Sequence, residues 1–138
     1  MGVRAGSAPA RRGILDAEVV MAAKDDLGRR GEDLAAEYLV GEGMQVVERN
    51  WRCAQGEIDL VARDHDELVF VEVKTRSSLG YGHPLEAITV AKLARLRRLA
   101  AAWCAAHPGQ HGLVRIDAVA IVLPALGAVA IEHLRRVF

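Results

Sequence analysis

The sequence has few aromatic residues: two each of Trp, Tyr and Phe among 138 residues, or 4%. A core must therefore be assembled mainly from Leu, Val, Ile and Ala, which at 51% hydrophobic content suits one small α/β domain rather than two. Cysteine is scarce as well. Cys53 and Cys104 stand singly and far apart, which excludes a CxxC redox pair and a zinc cluster and fits a reducing, cytoplasmic setting. There is no excess of either charge. Eighteen Lys and Arg balance eighteen Asp and Glu, so bulk attraction to a polyanion is absent and any affinity for nucleic acid must come from a local patch. Long apolar runs are missing too. None approaches the about 18 residues of a membrane span, and the stretch from Ile14 to Ala23 is interrupted by Asp16 and Glu18, which speaks against export and membrane insertion.

Residues 1–24, rich in Gly, Ala, Arg and Ser, lack a clean period and read as a flexible tail, with Met21 as an alternative start of translation. The domain is expected over 25–138. Leu27, Gly31, Leu34, Ala35, Tyr38 and Leu39 recur at helical spacing, with Asp25 or Asp26 as N-cap and Gly41 and Gly43 as terminators. Three strands follow, at Met44 to Asn50, Glu57 to Arg63 and Leu68 to Thr75. A second helix is expected from Leu85 to Ala106, ended by Pro108 and Gly109. Arg115 to Leu123 and Ala128 to Leu134 complete the chain as two further strands.

The second and third strands frame the polar turn Asp64 to Glu67. Pairing Arg63 with Leu68 in an antiparallel hairpin sets Val61 against Phe70, Asp59 against Glu72 and Glu57 against Lys74. Carboxylates directly opposite each other destabilise a sheet, so a positive group belongs between them. A hard divalent cation such as Mg²⁺ or Mn²⁺ takes oxygen ligands and leaves positions for water and a phosphate oxygen. Lys74, two residues on, would orient the attacking water and neutralise charge developing at phosphorus. The plainer alternative is a solvated strand face held by a Glu57–Lys74 ion pair. Against it, Val61, Leu68 and Phe70 make that face partly apolar.

The segments Gly56-Glu57-Ile58-Asp59-Leu60 and Phe70-Val71-Glu72-Val73-Lys74-Thr75-Arg76 resemble the signature of the bacterial YraN family. That family is similar to PD-(D/E)xK endonucleases, archaeal Holliday-junction resolvases in particular. The likeness extends through Gly28-Arg29-Arg30-Gly31-Glu32, Asn50, Gly82-His83-Pro84, Lys92 and Arg115-Ile116-Asp117. It implies a restriction-endonuclease-like α-β-β-β-α-β core with a mixed central sheet flanked by helices. It also implies a metal held by Asp59, Glu72, the Val73 backbone carbonyl and Glu32, with Lys74 placing the water. Asp59, Glu72, Lys74 and Glu32 would then be the catalytic set. The substrate implied is DNA, structured or branched, and a resolvase would need two sites and hence a homodimer. Gly-Glu-Ile-Asp stands where the superfamily name has Pro-Asp, which makes Glu57 a rival ligand.

Lys92, Arg95 and Arg98 recur three residues apart on the second helix, with Arg97 beside them and an apolar side of Leu85, Ile88, Leu93, Leu96, Leu99 and Trp103. This stripe is a candidate phosphate-binding surface or simply a solvated face. Arg29, Arg30, Arg52 and Arg76 flank the acidic site, Arg76 most closely. Trp51 reads as a strand-end hydrophobe and Trp103 as core. The five histidines are scattered and read as structural or surface groups. The rival to a nuclease is a noncatalytic nucleic-acid-binding or adaptor protein on the same fold.

Overall fold

In a computed structural model, which describes residues 9–78, 80 and 82–137, helix α1 (Pro9–Gly41) precedes strands β1 (Gln45–Cys53), β2 (Gly56–Asp64) and β3 (Glu67–Arg76). A 3₁₀ turn (Pro84–Ala87), helix α2 (Val90–Ala106) and strands β4 (Leu113–Val122) and β5 (Ala130–Leu134) follow. The strands form one sheet in the order β1-β2-β3-β4-β5. β3 and β4 are parallel and the other neighbours antiparallel, with α2 as the crossover that a parallel pair requires. The fold is thus the mixed-sheet α/β arrangement expected, compatible with a restriction-endonuclease-like core.

Each face of the sheet buries a core. Leu60, Ala62, Val69, Val71, Val73, Val119 and Ile121 pack with Ala35, Ala36 and Leu39 of α1. On the other face Ile58, Val61, Leu68, Phe70 and Ile116 pack with Leu96, Leu99, Ala100 and Trp103 of α2. Val61, Leu68 and Phe70 are fully buried, so the hairpin has no solvated face of the plain kind. Trp103 is core, as expected, and its indole N–H donates to Glu48 Oε1 at 2.9 Å.

Three local expectations need correction. First, the helix does not start at Asp25 or Asp26 but at Pro9, inside the stretch read as a tail; residues 1–8 lie outside the described residues. Proline suits a first helical position. Once the docked half of the helix is formed, extension through an Ala-rich segment adds one hydrogen bond per residue without a new nucleus. The side chains from Ala17 to Asp26 are exposed. Second, Leu85 and Ile88 do not belong to α2. His83 caps the 3₁₀ turn, accepting from the Leu85 N–H at Nδ1 (3.1 Å) while its own N–H donates to Glu86, and Thr89 caps α2 by accepting from the Lys92 N–H at 3.2 Å. Third, the hairpin loop is shorter than the four residues expected, since Asp64 pairs with Glu67 and His65 (φ 58°) and Asp66 make the turn.

Far from that turn, α1 crosses β3 at very short range. A Cβ built on Gly31 would lie 1.9 Å from Thr75 Oγ1 and 2.8 Å from Thr75 Cβ, and the second of these cannot be relieved by rotating the threonine. Only glycine lets the helix sit this low. Gly31→Ala should lift α1 from the sheet and cost about 1–3 kcal/mol, measured by urea unfolding; a cost under about 0.5 kcal/mol would contradict the contact.

β5 and the C-terminal segment are held by charge. The Arg115 guanidinium, its side chain 3% exposed, donates to both Asp117 oxygens (2.9 and 3.0 Å), to Asp64 (3.0 Å) and to Glu67 (2.9 Å). Asp117 also accepts from His133 Nε2 at 2.7 Å and from the Arg136 N–H at 3.0 Å. Burial alone would raise the Asp117 pKa, but the His133 and Arg115 hydrogen bonds outweigh it and hold the carboxyl below its ordinary range. Asp117→Asn should cost about 3 kcal/mol by leaving a buried cation undercompensated. Asp33→Ala, which removes the exposed Arg49–Asp33 pair, should cost less than about 1 kcal/mol. Equal costs in thermal unfolding would contradict this ranking.

Candidate active site

The register expected for the hairpin holds from Asp64↔Glu67 to Leu60↔Val71 and stops there. Strand alternation breaks at this point: Leu60 and Ala62 face α1, but Ile58 joins Val61 in the core under α2. Asp59, at the break, turns its carboxylate to β3, where Oδ2 accepts the Val73 N–H at 2.8 Å. Asp59 and Glu72 are therefore neighbours across a parting pair of strands rather than rungs of a regular ladder.

The expected Glu57–Lys74 facing does not occur. Glu57 pairs across β1 with Arg52, with Arg52 Nε to Glu57 Oε2 at 3.2 Å, because below Leu60 β2 keeps only its β1 partner. Lys74 stands instead by Glu72, Nζ to Oε2 4.0 Å. Glu72 is 8% exposed, an unusual burial for a carboxylate, and its ion pair with Lys74 stands at the edge of ion-pairing range.

Negative charge accumulates around Asp59. Burial first, then the charge of Glu72, push its carboxyl up to about 7; Glu32 and Glu57 act in the same direction, and the Val73 hydrogen bond opposes them. Glu32 reaches this region from α1, one residue past the Gly31 crossing. Its own pKa is raised by burial and by Glu57, against Arg49 and a hydrogen bond from Asn50. Positive charge gathers next door. Lys92, at the start of α2, lies close enough to Lys74 that the charge of Lys74, and then burial, lower the Lys92 pKa, while Glu72 opposes them.

Two clefts border the site. One, of about 670 Å³, is lined by Lys24, Leu27, Gly28, Glu32 and the β3 end from Val73 to Ser77. The other, of about 500 Å³, is lined by Lys24, Asp25, Gly28, Arg29, Glu32, Asn50, Arg52 and Glu57. Arg76 is among the residues lining the first, and its Nε is buried without a hydrogen-bond partner among the described residues. Of the basic residues singled out from the sequence, Arg76, Arg29, Arg52 and Lys92 are thus brought to the site. Arg30, Arg95 and Arg98 are exposed and line neither cleft. Lys24 and Asn50 lacked an assigned role. A left-handed Asn50 (φ 53°) in a strand is the kind of signal that marks a special position, while Lys24 becomes visible only once the helix is known to extend beyond Asp25.

Among the described residues, no group of three or more His, Cys, Asp or Glu side chains is arranged to hold a metal ion, so Glu32 does not complete a ready-made carboxylate cage with Asp59 and Glu72. Two buried-side carboxylates and the Val73 carbonyl remain as hard oxygen donors. That set fits Mg²⁺ or Mn²⁺, which retain several waters and need few protein ligands.

Comparison with known proteins places the site in a family. The model of the uncharacterised protein family UPF0102 matches residues 31–121, from Gly31 through the hairpin and α2 to Ile121. This chain belongs to the UPF0102 family. It is the YraN-like family anticipated from the hairpin motifs, of the PD-(D/E)xK endonuclease-like superfamily. A UPF0102 protein of an Arthrobacter species is 60% identical over 117 residues, covering 85% of this chain and 99% of the relative. One from Beutenbergia cavernae is 61% identical over 117 residues, with the same coverage. One from Frankia casuarinae is 52% identical over 118 residues, covering 86% of this chain and all of the relative. Among the described residues of this UPF0102 chain, no helix is long and apolar enough to cross a membrane.

In metal-free protein the Asp59 shift has a definite sign. Between its ordinary value of 3.8 and about 7, the folded chain keeps a proton that the unfolded chain has released, so this group's contribution to stability falls as pH rises through that window. The stability of Asp59→Asn relative to wild type should therefore grow with pH up to about 7, as followed by urea unfolding in chelator. A difference that stays flat or shrinks would contradict the arrangement.

Proposed function

We propose that this chain is a divalent-metal-dependent endonuclease that hydrolyses phosphodiester bonds in DNA, with structured or branched DNA as the favoured substrate. One observation carries the reading: two like-charged pairs, Asp59 with Glu72 and Lys74 with Lys92, stand side by side at the parted end of the hairpin. Neither pair is compensated within itself. A cation beside the first and a phosphate beside the second would satisfy both, which is the charge pattern of a metal–phosphate complex.

Asp59, Glu72 and the Val73 carbonyl would hold Mg²⁺ or Mn²⁺, which supplies charge neutralisation at the phosphate and a more acidic water. Lys74, half-buried and anchored by Glu72, orients the attacking water and meets charge developing on the phosphorus oxygens. Lys92 adds a second donor for those oxygens from α2. Glu32, tied to Asn50, deepens the negative potential without having to touch the ion. Arg76 and Arg29, which line the adjoining clefts, would hold the backbone on either side, with Arg52 beside Glu57 as a further contact. Branch cutting needs one site per strand, so a homodimer belongs to that form of the reading.

The test is a cleavage assay on labelled branched, duplex and single-stranded DNA with Mn²⁺. Wild type should cut at least one substrate, and Glu72→Gln and Lys74→Ala should each lose on the order of 100-fold or more of the rate. A wild type that leaves every substrate intact would contradict the proposal. If it still bound DNA equally well in chelator, a noncatalytic binding protein on the same fold would take its place.

A further inference from the structure

α1 carries two glycines in its docked half, and they differ in kind. Gly31 is pressed against Thr75, but a Cβ on Gly28 would meet nothing within 4 Å. Glycine in a helix interior costs stability relative to alanine. Packing within the chain gives Gly28 no reason to be bare, so the absent side chain leaves room for something outside the fold. Its position says what. Lys24, Gly28 and Glu32 follow one another at four-residue spacing on one helix face, and these three residues line both clefts. The two clefts therefore adjoin along this face of α1, with Gly28 between them. Lys74 and Arg76 lie on one side of the crossing; on the other are Arg29, the Arg52–Glu57 ion pair and Asp25; Lys24 borders both. Volumes of about 670 and 500 Å³ fall in the range of about 300–1,000 Å³ that accommodates a nucleotide-sized group. Arg76, whose buried Nε has no hydrogen-bond partner among the described residues, is among the residues that line the larger cleft.

We propose that a single polynucleotide strand is threaded across α1 at Gly28, its phosphates held by Arg76 and Lys24 on one side and by Arg29 on the other. This rests on the hydrolase reading and extends it: the protein grips one strand over the helix before that strand reaches the hairpin carboxylates. A bare Cα lets a sugar-phosphate backbone approach the helix closely, as glycine does where a backbone meets a ligand. Glu32, on the same face, sets the limit beyond which the phosphates do not travel unaided by a cation.

The experiment pairs thermal unfolding with binding of a fluorescent oligothymidylate in Ca²⁺, for wild type, Gly28→Ala and Gly28→Leu, followed by the Mn²⁺ cleavage assay on the same three proteins. Gly28→Ala should melt above wild type, because alanine is the better helix former, and yet bind about tenfold more weakly. Gly28→Leu should bind more weakly still. A gain in stability coupled to a loss of binding cannot come from damaged packing. Wild type that fails to bind, glycine variants that bind like wild type, or a binding loss that tracks a lowered melting temperature would each overturn the groove. Cleavage unaffected in Gly28→Leu would remove the groove and leave the hydrolase standing. Binding that obeys the expected order without any metal-dependent cleavage would leave the groove and remove the hydrolase.

Discussion

The contact on which the site depends is the crossing of α1 over β3 at Gly31 and Thr75. With no side chain at Gly31, the helix axis drops far enough for its next residue, Glu32, to enter the field of Asp59. The same descent brings Lys24, Gly28 and Glu32 down to the β3 end and to Asn50 of β1, so both clefts exist because the helix is low. A larger residue at position 31 would raise this whole surface together. The interaction is steric, and the electrostatics of the site inherit its geometry.

Two regions of buried charge show opposite designs. Around Arg115, every charge has a partner: three carboxylates surround one guanidinium, and Asp117 in turn receives His133 and a backbone N–H. Such a network locks β5 and the C-terminal segment to the turn of the hairpin, and its groups are tied to one another in a closed set. Around Asp59, the carboxylates of Glu72, Glu32 and Glu57 crowd together with only partial compensation from the Val73 N–H, Lys74 and Arg52, and the Asp59 carboxyl keeps its proton up to about 7. Proteins tolerate destabilising clusters of this kind where a ligand relieves them. The contrast within one small sheet is between a closed charge network and an open one.

Much of this was legible from periodicity. The order of elements, the pairing of Arg63 with Leu68 and of Val61 with Phe70, and the burial of Trp103 all follow from apolar spacing and turn chemistry. The parting of β2 from β3 at Asp59 was not, because a break in alternation depends on which core Ile58 enters, and both cores are apolar. The partner of Glu57 was missed for a related reason: a hairpin argument considers two strands, while Glu57 answers to a third, β1. The break between the 3₁₀ turn and α2 did carry a local signal in His83, Glu86 and Thr89, residues that cap rather than continue a helix. The Arg115 network had a weaker one, a pair of charges set in an apolar strand run.

On the proposed function, the hairpin carboxylates exchange a proton for a divalent cation. Calorimetric titration of Mn²⁺ into wild-type protein near neutral pH, repeated in buffers of different ionisation enthalpy, tests it most directly. Binding accompanied by proton release is expected, with that release lost in Asp59→Asn. Binding with no proton release, or binding equally tight in Asp59→Asn and Glu72→Gln, would place the ion elsewhere and contradict the account.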